Sequence, residues 1–328
     1  MTKVKIPELW FLVGGLILLG GVFLADHLLN RYLIHILILM GIYSITTVSL
    51  NLTNGYTGLF SLGHAAFMAI GAYTSTLLAF PLQLREAYEL PLLPPFLGGP
   101  EHSWSFFLAI LAGGALASLS ALLIGLPVLR LRGHYLSVAS LGFMVIVTTF
   151  AKTLRGITRG SMGINAIPSY TNIYWTYLWL FISVYVIWRL VNSRFGRAML
   201  AIREDETAAQ ALGIYPMKYK LLSFVVGAFF AGVAGGLYAH FTKAIRPLEF
   251  SFFLTFQIVT MLVVGGMGTT SGPIVGAVSL IALRYALKPV EEGLQVYGLI
   301  ELVYAVLLIV IMLWRPEGIM GKRYSRIG

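Results

Sequence analysis

The sequence predicts an all-α membrane protein of about ten transmembrane helices, in a pseudo-twofold five-plus-five arrangement with both termini cytoplasmic. Three observations carry that expectation. Of 328 residues, 58% are hydrophobic and 11% are charged, with a mean hydropathy of +0.84; a soluble domain carries roughly 25% charged residues. Apolar runs of spanning length recur along the whole chain. The 23 Lys and Arg, against 13 Asp and Glu, gather at the ends of those runs and in short loops, where they act as topology signals. A net charge of +10 distributed this way, with no surface that interleaves basic and aromatic residues, argues against a nucleic-acid partner. The chain has no cysteine, so neither a disulfide nor a thiolate metal site is expected.

The spans follow in order. Lys3 and Lys5 precede an apolar run over 10–26. It is read as the first span rather than a signal peptide, because it is long enough to cross, lacks a convincing A-x-A site and is followed by many more spans. The further runs are 31–51, 58–80, 105–126, 134–151, 173–191, 221–241, 252–268, 271–288 and 296–314. The whole of 1–328 is thus one transmembrane domain. Ten spans put both termini on one side. With the termini inside, the inner segments 1–9, 127–133, 189–220 and 315–328 hold 14 Lys and Arg, and the outer loops hold eight. The outer segment 81–104 carries Pro81, Pro91, Pro94, Pro95 and Pro100 and is expected to be extended rather than helical.

Two segments are glycine-rich and lie at corresponding places in the two halves: "GYTGLFSLG" (55–63) in the third span and "VGGMGTTSG" (264–272) at the end of the eighth. Interrupted segments of that kind point to a transport pathway between two repeats. Irregular backbone at membrane depth is tolerated only inside protein or along a cavity. The pathway candidates are Thr57, Gly58, Ser61, Gly63, His64, Gly71, Gly265, Gly266 and Gly268. Plain close packing of helices explains the same small residues equally well. For His64 a hydrogen bond between helices, a solute contact and a proton relay all remain open. Arg284 and Glu301 also lie within spans and are expected to neutralise one another as a pair.

The inner segment 192–220 contains "REDETAAQALG" (203–213). Glu204, Asp205 and Glu206 favour a helix start, Ala208 to Leu212 propagate it, and Gly213 followed by Pro216 ends it. A helix over 204–212, roughly 14 Å long, is too short to stand alone in water. It docks either on a soluble partner or beneath its own bundle. On the outer side Lys152, Arg155 and Arg159 break the charge rule locally; with Arg85, Lys243 and Arg246 on the same side they form either a solvated loop or a dock for an acidic partner.

"AIREDETAAQALGI" resembles the coupling helix of ABC importer permeases, in its form from branched-chain amino acid permeases. "NLTNGYTGLFSLGHAAFMAIGAY", "LLSFVVGAFFAGVAGGLYA" and "VVGGMGTTSGPIVGA" resemble that same family, in the larger of its two permease subunits, in the same order and spacing. The resemblance covers roughly 30–320. It implies a permease subunit in the cytoplasmic (inner) membrane of a prokaryote, paired with a second permease. Two cytoplasmic ATPases would bind ATP and Mg and a solute-binding protein would deliver from outside. Arg203, Glu204, Asp205, Glu206, Ala208, Ala209, Leu212 and Gly213 would form the ATPase-coupling helix, and the outer basic residues would dock the binding protein. The implied solute is a branched-chain or other hydrophobic amino acid; relatives that move urea and short amides leave a second solute class open. A stand-alone proton-coupled transporter is the rival mechanism, with His64 or Glu301 as its only titratable offers. The chain itself has no G-x-x-x-x-G-K-[ST] loop, no H-E-x-x-H and no G-x-S-x-G, so no cofactor, no metal and no catalytic residue is expected in it.

Overall fold

The computed structural model describes residues 8–81, 103–130, 134–295, 298–315 and 317–321. Each predicted apolar run contains a helix: α1 Glu8–Leu28, α2 Arg31–Asn51, α3 His64–Ala79, α4 Ser103–Val128, α5 His134–Thr153 and α6 Ile173–Val191. After two short helices, α7 Arg194–Glu204 and α8 Glu206–Ala211, come α9 Pro216–Thr242, α10 Phe252–Gly265, α11 Gly272–Leu294 and α12 Leu299–Trp314. Among the described residues six helices are long and apolar enough to cross a membrane: α2, α4, α5, α6, α9 and α11. Shorter apolar helices, α10 and α12 among them, accompany these. The one sheet among the described residues is a two-residue antiparallel pair, β1 Ile164–Asn165 with β2 Ala244–Ile245. The proline-rich stretch, Arg85 included, lies almost wholly outside the described residues, as do Lys3 and Lys5.

The core is built around α9, which packs on α3 and α4, while α2 binds α6, α9, α10 and α11. Glycine permits the tightest of these approaches. A Cβ on Gly71 of α3 would overlap the Gly232 backbone of α9, and one on Gly113 of α4 would stand 2.8 Å from the Gly71 carbonyl oxygen. Three helices therefore meet backbone to backbone, the geometry small residues give to lipid-embedded bundles. The 27-residue α9 measures about 40 Å at 1.5 Å per residue, so it runs from the α8 end of the bundle to the opposite end.

Two expectations need correction. The third span does not begin as a helix at 58. Instead α2 runs on into one wide π turn, Leu52–Tyr56, and regular helix resumes only at His64. Gly58, at φ 74°, turns the chain between them. The predicted helix over 204–212 is also two elements. Residues 194–204 form a helix of their own, because Ser193 caps it through Phe195 N at 3.1 Å and its face of Ala198, Met199 and Ile202 is buried. Asp205 is extended, at φ −155° and ψ 112°, and breaks the two apart.

Candidate functional site

The three acidic residues of the loop do three separate jobs. Glu204 pairs with Arg203 at 2.7 Å on the surface. Asp205 is the N-cap of α8: its Oδ1 accepts from Thr207 N at 2.7 Å and Ala208 N at 2.9 Å, satisfying two donors that a helix start leaves free. Glu206 reaches Lys220 of α9 at 2.7 Å, and the Lys220 side chain is only 9% exposed. At the other end Gly213, at φ 80°, closes α8. Gly213 N donates to Gln210 O at 2.9 Å and Ile214 N to Ala209 O at 3.0 Å, the Schellman pairing for which glycine is suited. Pro216 then opens α9.

Anchored at both ends, α8 turns Ala209 inward and leaves Leu212 and Tyr215 each 80% exposed. Ala208 is exposed as well. The break at Asp205 divides the apolar residues of the loop, burying Ile202 and Ala209 and baring Leu212. Tyr215 is not legible in the sequence as part of the dock, because it follows the glycine stop, outside any helix pattern.

Arg203 ties this loop to the glycine-rich segments. Its Nη1 donates to Gly55 O at 3.0 Å, and its stem lies against Gly58, where a Cβ would stand 2.8 Å from Arg203 Cγ. The second segment meets the first at the same place. Asn51 donates through Nδ2 to Thr269 O at 2.8 Å and accepts through Oδ1 from Gly268 N at 2.8 Å. The Tyr56 hydroxyl lies 3.2 Å from Thr270 Oγ1. A Cβ on Gly268 would stand 2.8 Å from Arg203 Nη1. The two segments and the loop thus form one junction at the α8 end. Asn51 is the residue that sequence reasoning missed; an Asn closing an apolar run just before a glycine-rich segment was the available signal.

The remaining pathway candidates are engaged in packing. Thr57 Oγ1 donates to Leu52 O at 2.9 Å, and the Ser61 backbone is held on both sides by Asn54 at 3.2 Å. Gly63 faces Ser140 O. His64 is buried, with Nε2 3.0 Å from Ser49 Oγ. Gly71 sits in the three-helix crossing, Gly265 against Gly272 and Gly276, and Gly266, at φ 114°, against Glu317 and Gly321. At the opposite end the β1–β2 pair brings the segment of Lys152, Arg155 and Arg159 beside Lys243 and Arg246. Arg284 and Glu301 do not pair as expected: among the described residues neither makes an ion pair.

Comparison with known proteins shows the family. A family model described as the permease component of branched-chain amino acid transport systems matches residues 32–314. The high-affinity branched-chain amino acid transport system permease protein LivM of Escherichia coli is 31% identical, covering 89% of this chain and 71% of the relative. That of Salmonella typhimurium is 32% identical over 85% and 68%. The high-affinity branched-chain amino acid transport system permease protein LivH of Salmonella typhimurium is 24% identical, over 85% and 91%. No solved structure matches. The chain belongs to the family of permease components of branched-chain amino acid transport systems.

Proposed function

We propose that the chain is the larger membrane-spanning subunit of an ABC importer for branched-chain or other hydrophobic amino acids. It crosses the inner membrane of a prokaryote ten times with both termini inside, its halves related by a pseudo-twofold. It works with a second permease, two cytoplasmic ATPases that bind ATP and Mg, and an extracytoplasmic solute-binding protein. The observation that carries this reading is the α8 loop: a helix too short to stand alone, held at both ends, with an apolar tip bared to solvent and Arg203 bonded to the first glycine-rich segment and lying against the second. A helix so placed suits the groove of a soluble partner. Movement of that partner is delivered through Arg203 to the junction of the two halves. The basic residues Lys152, Arg155, Arg159, Lys243 and Arg246 at the opposite end suit a partner with an acidic rim. Arg85 shares that charge but lies outside the described residues.

Leu212 and Tyr215 test the dock better than the acidic residues, whose partners lie within the chain. Wild type purified in mild detergent is expected to carry an ATPase with it. Leu212→Glu with Tyr215→Ala is expected to lose that ATPase while keeping the melting temperature of the chain. An unchanged yield of ATPase would place the dock elsewhere, and no ATPase with either protein would remove the importer reading.

A further inference from the structure

At the end of the bundle far from α8 lie two adjoining cavities, of about 430 Å³ and about 540 Å³, each within the roughly 300–1,000 Å³ of small-molecule sites. Their origin is the length of α10. It has 14 residues, about 21 Å, against roughly 30 Å of hydrocarbon. Because α10 ends at the α8-side junction, the missing length is at the far end, where a depression opens.

Tyr43, Tyr238, Arg284 and Glu301 line both cavities and so stand between them. Arg284 sits in the middle of the 23-residue α11 and Glu301 in the first turn of α12. Among the described residues neither has an ion-pair or side-chain hydrogen-bond partner. Two nearby carboxylates are already occupied: Glu292 lies 3.8 Å from Lys288, and Glu291 accepts from Gly298 N at 2.9 Å; a third, Glu249, lines the larger cavity. Gln257 of α10, lining the larger cavity, has a buried Nε2 without a partner among the described residues. The rest of that cavity is mostly aromatic and aliphatic, with Phe252, Phe253 and Phe256, beside Ser251 and the carboxylate of Glu249. Charges left unpaired at membrane depth are costly and mark functional sites.

We propose that these cavities are the transit site for an α-amino acid zwitterion, an inference that rests on the amino-acid permease reading. Arg284 takes the carboxylate with its planar fork, assisted by Gln257 Nε2. Glu301 takes the ammonium, with tyrosine faces beside it. The phenylalanine-lined part takes the aliphatic side chain. The two charged residues that line both cavities are one of each sign, as on the ligand. A fatty acid or an amine satisfies one charge and leaves the other bare, which is discrimination by penalty as much as by attraction.

Because the chain has no cysteine, a single thiol reports on the site. Phe253→Cys and, separately, Leu248→Cys place it on exposed positions lining the larger cavity. Labelling with N-ethylmaleimide is followed in membranes of cells making the whole transporter. Leucine at roughly ten times its Kd is expected to slow labelling about tenfold. At the same concentration 4-methylpentanoate, which lacks the ammonium, and 3-methylbutylamine, which lacks the carboxylate, leave the rate unchanged. Adding Arg284→Gln or Glu301→Gln is expected to weaken leucine protection about tenfold or more. The second variant is at an exposed position and keeps the test sound if the first fails to fold. Labelling that leucine does not slow overturns the proposal. So does equal protection by the amine, equal protection in both variants, or thiols that do not react at either position. Labelling needs no ATPase, so the two readings fail separately. Lost protection with an ATPase still co-purifying removes the site alone. Zwitterion-specific protection with no ATPase removes the importer and leaves the site.

Discussion

Arg203→Met removes a guanidinium and keeps most of its aliphatic stem. The stem continues to rest on Gly58, whereas the Nη1 bond to Gly55 O at 3.0 Å is lost. A hydrogen bond from a charged donor contributes about 1.5–3 kcal/mol net. The companion pair with Glu204 is largely exposed, and such pairs contribute about 0–1 kcal/mol. The latch between loop and glycine segments therefore weakens by about 1.5–3 kcal/mol, roughly a ten- to hundredfold fall in its closed fraction. Leu212 and Tyr215 are untouched, because α8 is held by Asp205, Glu206 and Gly213 rather than by Arg203. The expected phenotype is uncoupling. The ATPase still co-purifies and still hydrolyses ATP, while leucine uptake by cells falls about tenfold or more, in step with the weaker latch. Uptake at the wild-type rate would refute the idea that force passes through Arg203. Loss of the ATPase would show instead that Arg203 supports the dock itself.

Two further outcomes follow from packing and charge. Glu206→Ala leaves the nearly buried Lys220 ammonium without its partner and is expected to cost about 1–3 kcal/mol; the double variant with Lys220→Met should recover most of the lost melting temperature in detergent. Gly71→Leu drives a side chain into the Gly232 backbone and should destabilise by about 1–3 kcal/mol or more, whereas Gly142→Ala, with nothing within 4 Å of its Cβ position, should gain about 0.5–1 kcal/mol; thermal melts of the two variants side by side decide it.

The helices were legible because their signal is local: an apolar run at membrane depth has to satisfy its own backbone, and helix is the means within one segment. The late start of α3 was half legible, since glycines announced irregular backbone but not that Leu52–Tyr56 would widen into a π turn. Tertiary pairing was not legible. Glu204, Asp205 and Glu206 read as one acidic knot, yet one caps a helix, one meets a neighbour and one crosses to Lys220. Asn51 and Gly268 are separated by most of the chain, and no periodicity announces a side chain that bonds a loop so remote. Arg284 and Glu301 were expected to cancel because opposite charges on neighbouring spans usually do. The short α10 and the depression above it keep them as two free ends.

α9 has a mechanical character that its hydrogen bonds alone do not convey. It is a rod of about 40 Å, gripped along its length by the backbones of α3 and α4. One end carries the loop helix through Lys220, and the other leads directly into β2 and the basic corner of Lys243 and Arg246. A tilt of about 5° about one end of such a rod sweeps the other by about 3.5 Å. The two faces of the membrane are therefore joined by a single stiff lever, and a displacement made at one is present at the other without relay through intermediate side chains.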